Sequence, residues 1–540
     1  MKILVIGGVA AGTKAAAKLK RENRKDEVTI LTMSKYISYA GCGLPYYVGN
    51  IIKGKDQLIV NTPESFSMLT GVNVLTETEV TAVCSDEKKV EAVNLSTNKV
   101  SKYPYDKLII AAGARPIKPP FKGIDLNGVF TLRTPDDADA IKQSLKSGSI
   151  KRASIIGGGF IGLETAENLA GQGVKVSVID MAEHILPGFD PEIAEYVENH
   201  LANKGIMCFT GTKLEAIIGD GKVEKIQTDK RIMKADAVIL SIGIKPNTEF
   251  LKNSGIELMP NKTIRTNEYL ETNVKDIFAI GDCACVTNRI TKSPAWSPMG
   301  SSANIEGRIT AKNINNKKTA YLGVLGTGAA KLPGLNVGKT GLSEKDAVNH
   351  GYNPVSVIAV VDDKANYYPD SSFFIIKMVA DNSTHKFLGI QVLGKGAVDK
   401  IVDIAATALT LNASLEDLEN MDLTYAPPFS TAIHPFTNMV NILLNKINGD
   451  FITVTPAAYQ RGEYSDYKII DASLKPSIES AKYVDLTKVN GEVDGLNKED
   501  KLLLVCTKGK RAYLLQNRLR FYGYTNTLVL EGGTTFNHIE

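Results

Sequence analysis

The stretch that decides the fold is residues 153–180, which begins Ala153-Ser-Ile-Ile-Gly157-Gly-Gly159-Phe-Ile161-Gly162 and ends Val174-Lys-Val-Ser-Val-Ile-Asp180. An apolar strand leads into spaced glycines and a helical run, and a second strand ends in an acid. Gly157 allows a tight turn, Gly159 lets the backbone approach a pyrophosphate, and Gly162 lets helix and strand pack closely. The helix start, including Ile161, offers N–H groups to phosphates. Asp180 is placed to accept ribose hydroxyls, which favours NADH and leaves NADPH as the alternative.

A second unit of the same kind opens the chain, with strand Ile3-Leu-Val-Ile6 followed by Gly7-Gly-Val9-Ala-Ala-Gly12. It departs from the pattern because Val9 replaces the middle glycine and the next strand ends in Thr32 rather than an acid. Two later segments support a nucleotide site, one at residues 108–114 and one strand at residues 272–280 that ends in glycine and aspartate. The expected lining residues are Gly7, Gly8, Ala10, Ala11, Gly12, Ala112, Gly113, Gly281 and Asp282, with Asp282 hydrogen-bonding a ribityl chain.

Together with Ile242-Gly-Ile-Lys-Pro246-Asn247, these segments resemble the FAD-dependent pyridine nucleotide disulfide oxidoreductases over about residues 1–445. The resemblance implies that the first unit holds FAD and the second holds NADH or NADPH. The run Ser38-Tyr-Ala-Gly-Cys42-Gly-Leu-Pro45-Tyr is similar to the single-cysteine branch, which contains coenzyme A-disulfide reductases, persulfide reductases and NADH oxidases. No second cysteine stands five positions away, so Cys42 is the predicted redox thiol and its sulfur partner must be exogenous.

The environment of Cys42 is predicted to favour a thiolate. Pro45 is typical of a first helical turn, and a helix N-terminus lowers the pKa of a thiol beside it. Cys84 and Cys208 stand in apolar strand patterns and are expected to be structural. Cys283 and Cys285 form a Cys-x-Cys pair, but two ligands make no metal site, so no metal is expected.

Residues 321–446 are predicted to form a separate α/β unit that resembles the dimerisation domain of the same family and implies a homodimer. Two tyrosines there match elements of coenzyme A-disulfide reductases, Tyr367 in Asn366-Tyr-Tyr-Pro369 and Tyr425 in Leu423-Thr-Tyr-Ala-Pro-Pro428. The resemblance implies that these tyrosines reach the partner subunit's active site and assist a departing thiolate.

Coenzyme A, as substrate or bound ligand, has candidate contacts on the first helix. Lys14, Lys18 and Arg21 stand at i, i+4 and i+7, so they share one face and could meet the phosphate-bearing end of coenzyme A. A solvated basic helix face is the alternative. The remaining candidates for the substrate pocket, taken from the resemblance, are Ser38, Tyr39, Asn304 and Arg308.

A new alternation of strands and helices begins after residue 446. The run Cys506-Thr-Lys508-Gly-Lys-Arg511 follows a buried strand at residues 501–505 and leads into a helix at residues 513–522. A cysteine in such a loop lies in a cradle of backbone N–H groups, and nearby cations stabilise a thiolate or persulfide. The stretch resembles a rhodanese-like domain, which implies that Cys506 carries sulfur and Arg511 binds its anion. The strand ending at Asp471 continues Ala-Ser where rhodaneses commonly have Val-Arg, which leaves a non-catalytic module open.

Length and charge set the remaining expectations. The 540 residues exceed one domain, and 63 basic against 59 acidic residues, a net charge of +4, give no field that would recruit nucleic acid or an acidic membrane. No apolar run approaches the roughly 18 to 20 residues of a membrane span, and six scattered cysteines suit a reducing cytoplasm. The predicted α/β domains are an FAD-binding domain (1–112 and 245–320), an NAD(P)H-binding domain (113–244), a dimerisation domain (321–446), a linker (447–461) and a rhodanese-like domain (462–540).

The predicted activity is NADH- or NADPH-driven reduction of a sulfur–sulfur bond through FAD and Cys42, with Cys506 delivering sulfane sulfur. The substrate classes are coenzyme A persulfide, polysulfide and coenzyme A disulfide. One alternative is an NADH oxidase in which Cys42 cycles through a sulfenic acid. Another, from a different class, is a redox sensor that carries a sulfur-binding module.

Overall fold

The computed structural model describes residues 1–539, and the chain divides into two compact units. Unit 1 comprises residues 1–185 and 202–324, and unit 2 comprises residues 186–201 and the chain from residue 325 onward. The helices are α1 (Ala10–Glu22), α2 (Leu44–Val48), α3 (Pro63–Thr70), α4 (Pro135–Lys146), α5 (Phe160–Ala170), α6 (Pro191–Asn203), α7 (Gly300–Ile314), α8 (Glu344–Asn349), α9 (Val398–Leu411), α10 (Leu415–Glu419), α11 (Pro435–Ile447), α12 (Pro456–Gln460), α13 (Lys510–Phe521) and α14 (Gly533–Phe536).

The first sheet of unit 1 is a parallel sheet formed by both ends of that unit's sequence. Its strand order is β3-β2-β1-β7-β18, with bounds β1 (Lys2–Ile6), β2 (Glu27–Leu31), β3 (Asn73–Leu75), β7 (Lys107–Ile110) and β18 (Ile277–Ala279). The strands are rich in Val, Ile and Leu because both faces of the sheet are buried, one under helices α1 and α7 and the other under the antiparallel strands at residues 78–94. The last strand is shorter than the predicted 272–280, since Asp276 has a positive φ of 70° and interrupts the extended backbone just before Ile277.

The second parallel sheet of unit 1 contains the strands of residues 153–180, on either side of the second glycine turn and its helix. Its strand order is β12-β11-β10-β16-β9, with bounds β9 (Val129–Thr131), β10 (Arg152–Ile156), β11 (Lys175–Ile179), β12 (Met207–Phe209) and β16 (Ala237–Leu240). Two such sheets confirm the predicted pair of Rossmann-like domains. Helix α4 starts with a capping box in which Thr134 and Asp137 satisfy each other's backbone N–H groups.

Smaller antiparallel sheets complete unit 1. They are a three-stranded sheet of β4 (Thr78–Cys84), β5 (Lys89–Asn94) and β6 (Val100–Pro104); a second of β13 (Leu214–Ile218), β14 (Lys225–Thr228) and β15 (Ile232–Lys234); and two strand pairs, β8 (Ala114–Pro116) with β17 (Ile244–Pro246) and β19 (Val286–Thr287) with β20 (Pro294–Ala295).

Unit 2 contains an antiparallel and a parallel five-stranded sheet. The antiparallel order is β21-β22-β25-β24-β23, with bounds β21 (Gly328–Leu332), β22 (Leu335–Gly341), β23 (Pro354–Asp362), β24 (Phe373–Asp381) and β25 (Phe387–Gly394). The parallel order is β26-β30-β29-β27-β28, with bounds β26 (Thr453–Val454), β27 (Lys468–Asp471), β28 (Lys482–Tyr483), β29 (Leu502–Val505) and β30 (Thr527–Leu530). The α/β class predicted for these segments is confirmed.

The structure corrects the prediction that residues 447–461 form a linker. This segment contains β26, which pairs with β30 in the parallel sheet, and helix α12. Its backbone is fixed by Gln516, whose side chain accepts the N–H of Ile452 at 3.2 Å and donates to its carbonyl at 2.8 Å. The segment is therefore part of the C-terminal fold, because its two-residue strand at the edge of the sheet is held by β30 and by the side chain of Gln516, both distant in sequence.

A buried ion cluster holds the start of α6 on the antiparallel sheet of unit 2. Lys377, on β24 and 2% exposed, lies 3.1 Å from Asp190, 2.5 Å from Glu192 and 2.8 Å from Glu344. Asp190 also accepts a hydrogen bond from Gln391 at 2.6 Å. A buried charge needs such compensation, so the cluster ties a segment of the middle of the sequence to the sheet. Across residues 1–539, helices long and apolar enough to cross a membrane are absent.

Candidate active site

The glycine turn at the start of the chain has no room for side chains. Gly7 has a positive φ of 107°, and a Cβ there would lie 2.0 Å from the carbonyl oxygen of Ala111. A Cβ at Gly12 would lie 2.0 Å from the carbonyl oxygen of Gly7. Helix α1 begins at Ala10, so its first N–H groups follow the turn directly. The turn, with Gly8, Ala11, Ala112 and Gly113 around it, is a cradle for phosphate at a helix N-terminus.

The second glycine turn repeats this geometry. Gly157 has a φ of 108°, and a Cβ at Gly162 would lie 2.1 Å from the carbonyl oxygen of Gly157. The Cβ position of Gly159 has no heavy atom within 4 Å, so the backbone is open to a ligand where α5 begins. Ile161 is exposed on the first turn. At the end of β11, Asp180 accepts the N–H of Gly158 at 2.7 Å, which brings the predicted ribose acceptor next to the turn.

Asp282 is held by a residue that sequence reasoning missed. Arg133, in the loop between β9 and α4, donates through Nη2 to Oδ2 of Asp282 at 2.6 Å. The N–H of Gly281 donates to Oε2 of Glu306 at 2.6 Å. Burial raises the pKa of Glu306 to about 7, against the lowering effect of that N–H. Arg133 carried no sequence signal, whereas Glu306 stands as an acid in a run of small residues on α7.

Cys42 lies in a single 3-10 turn, Gly41–Gly43, directly before α2, and its side chain is exposed. Pro45 stands in the first turn of α2, as predicted. The expected pKa shift is wrong in direction. Partial desolvation and then the carboxylates of Glu164 and Asp282 raise the pKa of Cys42, and only the Arg133 guanidinium opposes them. These charges come from distant parts of the chain and outweigh a helix of five residues.

Two further groups next to Cys42 were missed in the sequence. Tyr46, on α2, donates its hydroxyl proton to Oε1 of Glu164, on α5, at 3.1 Å. Burial raises the pKa of Glu164 to about 6, although the bond from Tyr46 lowers it. The signal for Glu164 was its position two residues after Gly162, which puts a carboxyl group on the first turns of a nucleotide-binding helix.

The candidate coenzyme A residues lie on two helices that pack against each other. A Cβ at Gly307 of α7 would lie 2.6 Å from the carbonyl oxygen of Ala11 and 3.1 Å from the Cβ of Lys14, so the helices touch here. Lys18 forms an ion pair with Glu22 at 2.7 Å, one turn further along α1. The exposed side chains in this region are those of Arg21, Asn304 and Arg308. The structure thus brings the α1 and α7 candidates together, with Lys18 partly neutralised.

Ser38 and Tyr39 flank the same region from the loop before Cys42. Ser38 has a positive φ of 47°, and its N–H donates to the carbonyl of Gly8 at 2.8 Å. Its hydroxyl accepts a hydrogen bond from Asn61 at 3.4 Å. Burial raises the pKa of Tyr39. The loop of Ser38 is therefore tied directly to the first glycine turn.

The side chains of the two predicted tyrosines of unit 2, Tyr367 and Tyr425, lie next to each other. The hydroxyl groups of Tyr367 and Tyr425, 58 positions apart in sequence, share a hydrogen bond that raises the pKa of Tyr367. Both side chains are exposed, Tyr367 to 72% and Tyr425 to 48%. The structure thus brings together two tyrosines from distant parts of the sequence on the surface of unit 2.

Cys506 directly follows β29 and is buried in the loop that leads to α13. Its Sγ accepts the N–H of Ala512 at 3.4 Å, and Gly509, with a φ of 87°, precedes α13. Arg511 points its Nε at the carbonyl of Ala472 at 2.9 Å, with Asp485 3.9 Å away. Lys508 forms an ion pair with Asp362, at the end of β23. The loop is thus anchored to the antiparallel sheet of the same unit.

The remaining cysteines lie within the fold. Cys283 is fully buried, and desolvation raises its pKa to about 12. Cys285 is also buried, while Cys84 and Cys208 end or occupy strands β4 and β12. In the part of the chain that the structure describes, residues 1–539, His, Cys, Asp and Glu side chains form no group of three that could hold a metal ion.

The nucleotide-binding turns and the domain that follows them match the sequence profiles of a known protein family. The sequence profile of the pyridine nucleotide-disulphide oxidoreductases matches residues 1–302, more than half of the chain, and that of their dimerisation domain matches residues 330–436. The chain belongs to this family and is an oxidoreductase that uses FAD and NAD(P)H. The two glycine cradles fit these cofactors, since each offers a helix N-terminus and a nearby carboxylate, Asp282 or Asp180, and the backbone at Gly159 is open to a ligand.

Three similar proteins illustrate the range of the family. The NAD(P)H coenzyme A polysulfide/persulfide reductase of Pyrococcus horikoshii is 34% identical over 82% of this chain and 98% of its own. The NADH oxidase of Methanocaldococcus jannaschii is 34% identical over 83% of this chain and 100% of its own. The crystal structure of an NAD-dependent persulfide reductase from A. fulgidus is 33% identical, covers 100% of both chains and has a TM-score of 0.95.

Proposed function

We propose that this chain is an NAD(P)H-dependent flavoenzyme that reduces the sulfur–sulfur bond of coenzyme A persulfide, polysulfide or coenzyme A disulfide at Cys42. The observation that carries the proposal is the exposed thiol of Cys42, which lies within electrostatic reach of Glu164, hydrogen-bonded by Tyr46, and of the ion pair between Arg133 and Asp282. Cys42 is a free cysteine in the described chain. A thiol without an internal partner must form its disulfide with a substrate.

The chemistry at Cys42 balances with a persulfide R–S–S–H. Attack of the Cys42 thiolate on the sulfur attached to R breaks the S–S bond, forms Cys42–S–S–R and releases HS⁻. FAD, when bound, would pass two electrons from NAD(P)H to this disulfide. With those electrons and one proton, Cys42 returns to the thiolate and R–SH leaves. The upward shift of the Cys42 pKa lowers the thiolate fraction, so the rate of this attack should increase with pH.

Tyr367 and Tyr425 are the proposed proton donors for the departing thiolate. Their shared hydrogen bond keeps Tyr367 protonated, and their exposure leaves them free to enter the active site of a second copy. The match of residues 330–436 to a dimerisation domain supports a homodimer. A phenol that donates a proton in the transition state contributes general acid catalysis.

The C-terminal part of unit 2 is proposed to be a rhodanese-like sulfur carrier. Support comes from the five-stranded parallel sheet, from the placement of Cys506 at the start of the four-residue loop 506–509, and from the left-handed Gly509 that leads into α13. The full-length likeness to a persulfide reductase covers this part as well. A carrier joined to the reductase raises the local concentration of sulfane sulfur near the site that consumes it.

The test compares Cys42→Ser with Cys84→Ser in one assay. Sulfide release and oxygen uptake are measured at equal enzyme with NADH and coenzyme A persulfide. Cys42→Ser should lower sulfide release about a thousandfold while electron transfer to an artificial acceptor continues. Cys84→Ser should match the parent. Turnover that survives in Cys42→Ser would refute the proposal, and oxygen uptake that exceeds sulfide release in the parent would identify an NADH oxidase instead.

The carrier role is tested separately with Cys506→Ser. Polysulfide turnover at limiting substrate should fall by about tenfold, because the loss removes only the raised local concentration. Reduction of coenzyme A disulfide, which carries no sulfane sulfur, should be unchanged. Equal loss on both substrates would point to a structural defect, and no loss on either would show that Cys506 is not part of the relay.

A further inference from the structure

A cavity of about 570 Å³ lies in unit 1, at the amino ends of the strands of the second parallel sheet. It is bordered by the start of β10 at Arg152, the start of β11 at Lys175 and the ends of helices α2, α4 and α5. The glycine turn of Gly157 lies at the opposite, carboxyl ends of these parallel strands. The volume falls within the roughly 300 to 1,000 Å³ typical of small-molecule sites.

The lining of this cavity is basic without any carboxylate. Its cationic side chains are Lys142, Lys146, Lys151, Arg152 and Lys175. The ion pairs formed nearby by α4 join Lys35 and Lys55 to Asp136 and Asp139, and use none of these five. The carboxylate at this edge, Asp236, accepts the backbone N–H groups of Lys151 and Arg152 rather than their side chains.

The end of a helix accounts for only two of these five cations, and strand pairing accounts for none. Lys142 and Lys146 are on the last turns of α4, where cations offset exposed carbonyl groups. Lys151, Arg152 and Lys175 are outside any helix. Arg152 and Lys175 are register partners on neighbouring strands, and like charges placed side by side across strands are destabilising. The arrangement lacks its counter-charge within the described chain.

Lys142 is a buried cation whose pKa is affected by the positive charges around it. It is 4% exposed, and its Nζ donates to the carbonyl oxygens of Ile52 and Lys53 at 3.2 and 3.1 Å and lies 3.7 Å from the centroid of the Tyr47 ring. Burial and then the neighbouring Lys146 and Lys53 lower the pKa of Lys142. An anion in the cavity would relieve this repulsion.

We propose that the cavity binds a polyphosphate-bearing small molecule. The four exposed cations, on three separate segments, suit a chain of phosphate groups, because one phosphate contacts only two or three side chains, and Arg152 can bind one bidentately. The site is separate from the glycine turns. It borders the end of α2 at Val48 and the nearby residue Asn50, so a bound ligand would contact the end of the helix that follows Cys42.

The test measures binding of inorganic tripolyphosphate to the FAD-bound enzyme by titration calorimetry at low salt, with NAD⁺ saturating so that the dinucleotide cradle is filled. One molecule should bind per chain. The double variant Lys151→Gln/Lys175→Gln should weaken binding by about tenfold or more. Lys225→Gln/Lys230→Gln, which removes two exposed cations elsewhere in unit 1, is the matched control and should bind as the parent does.

A second variant separates this site from the basic face of α1. Lys14→Gln/Arg21→Gln removes candidate coenzyme A contacts, and tripolyphosphate binding should persist in it. Binding that disappears there but survives in Lys151→Gln/Lys175→Gln would overturn the proposal, as would equal affinity in the cavity variant and its control. The flavin absorbance and melting temperature of each variant establish that it is folded.

Discussion

The hydroxyl group of Tyr46 donates a hydrogen bond to Oε1 of Glu164 at 3.1 Å, and this bond joins α2 to α5 beside Cys42. Tyr46 follows the thiol by four residues, whereas Glu164 belongs to the helix that starts at the second glycine turn. Cys42, the proposed redox cysteine, is therefore electrostatically linked to the helix that starts at the second glycine turn. Because burial raises the pKa of Glu164 to about 6, its charge changes within the working pH range.

Replacing this carboxyl group should make Cys42 more reactive. The ionised Glu164 raises the pKa of the thiol, so Glu164→Gln should lower it and increase the rate of iodoacetamide alkylation at pH 7 roughly threefold. In the parent, the rate profile should show an inflection near pH 6, where Glu164 ionises, and the variant should lack it. Tyr46→Phe retains the carboxylate and removes a bond that lowers its pKa, so it should move the inflection upward. Identical profiles for all three proteins would contradict this coupling.

Glu306 should make stability depend on pH. Its pKa is raised by burial from 4.5 to about 7, so its contribution is fully present below pH 4.5 and is lost as the pH rises through 7. Glu306→Gln keeps an acceptor for the N–H of Gly281 but does not ionise. The free energy of unfolding of the variant minus that of the parent should increase by about 3 kcal/mol between pH 5 and pH 8. Thermal melts of both proteins at each pH measure this difference. A difference that stays constant with pH would show that the pKa of Glu306 is not raised in the folded protein.

Arg133 should be needed to retain FAD. It holds Asp282, the candidate ribityl contact, at 2.6 Å, and without it this carboxylate loses its counter-charge. Arg133→Gln should weaken FAD retention by about tenfold, measured as the ratio of flavin to protein absorbance after gel filtration at low concentration. Arg115→Gln is the matched control, since Arg115 pairs with Glu249 at 2.5 Å in the same unit. If the two variants retain FAD equally, Arg133 does not position Asp282.

Glu531 should fix the C-terminal sheet of unit 2. Buried at 2% exposure, it accepts the N–H of Ile358 at 2.8 Å, the hydroxyl of Thr453 at 2.6 Å and the ammonium of Lys446 at 2.6 Å. Glu531→Leu leaves the N–H of Ile358 without its acceptor and the Lys446 ammonium with only the carbonyl of Ser356, and should destabilise this region by about 3 kcal/mol. Limited proteolysis should then release a fragment cut near residue 450 faster than in the parent. Asp466→Asn, which breaks an exposed pair with Lys501, should leave the cutting rate unchanged.

The local patterns of the sequence were sufficient for the elements around each glycine turn. Gly7 and Gly157 require positive φ values, and a requirement of that kind is written in one residue and its neighbours. The helix predicted at residues 513–522 begins three residues earlier, at Lys510, because Gly509 in the left-handed region starts it. The linker at residues 447–461 was misjudged because its two-residue strand gains its stability from β30, far away in sequence.

The candidate active site divides in the same way. By itself, the sequence determined that two nucleotide-binding units exist, that Cys42 stands alone before a helix, and that Cys506 opens a loop between strand and helix, because these features depend on spacing within short stretches. The tertiary structure alone decided which charges surround Cys42, since Arg133 and Glu164 reach it across 91 and 122 positions of the chain. A thiol's pKa depends on desolvation and on charges in space, so its upward shift followed from packing that no local pattern contains.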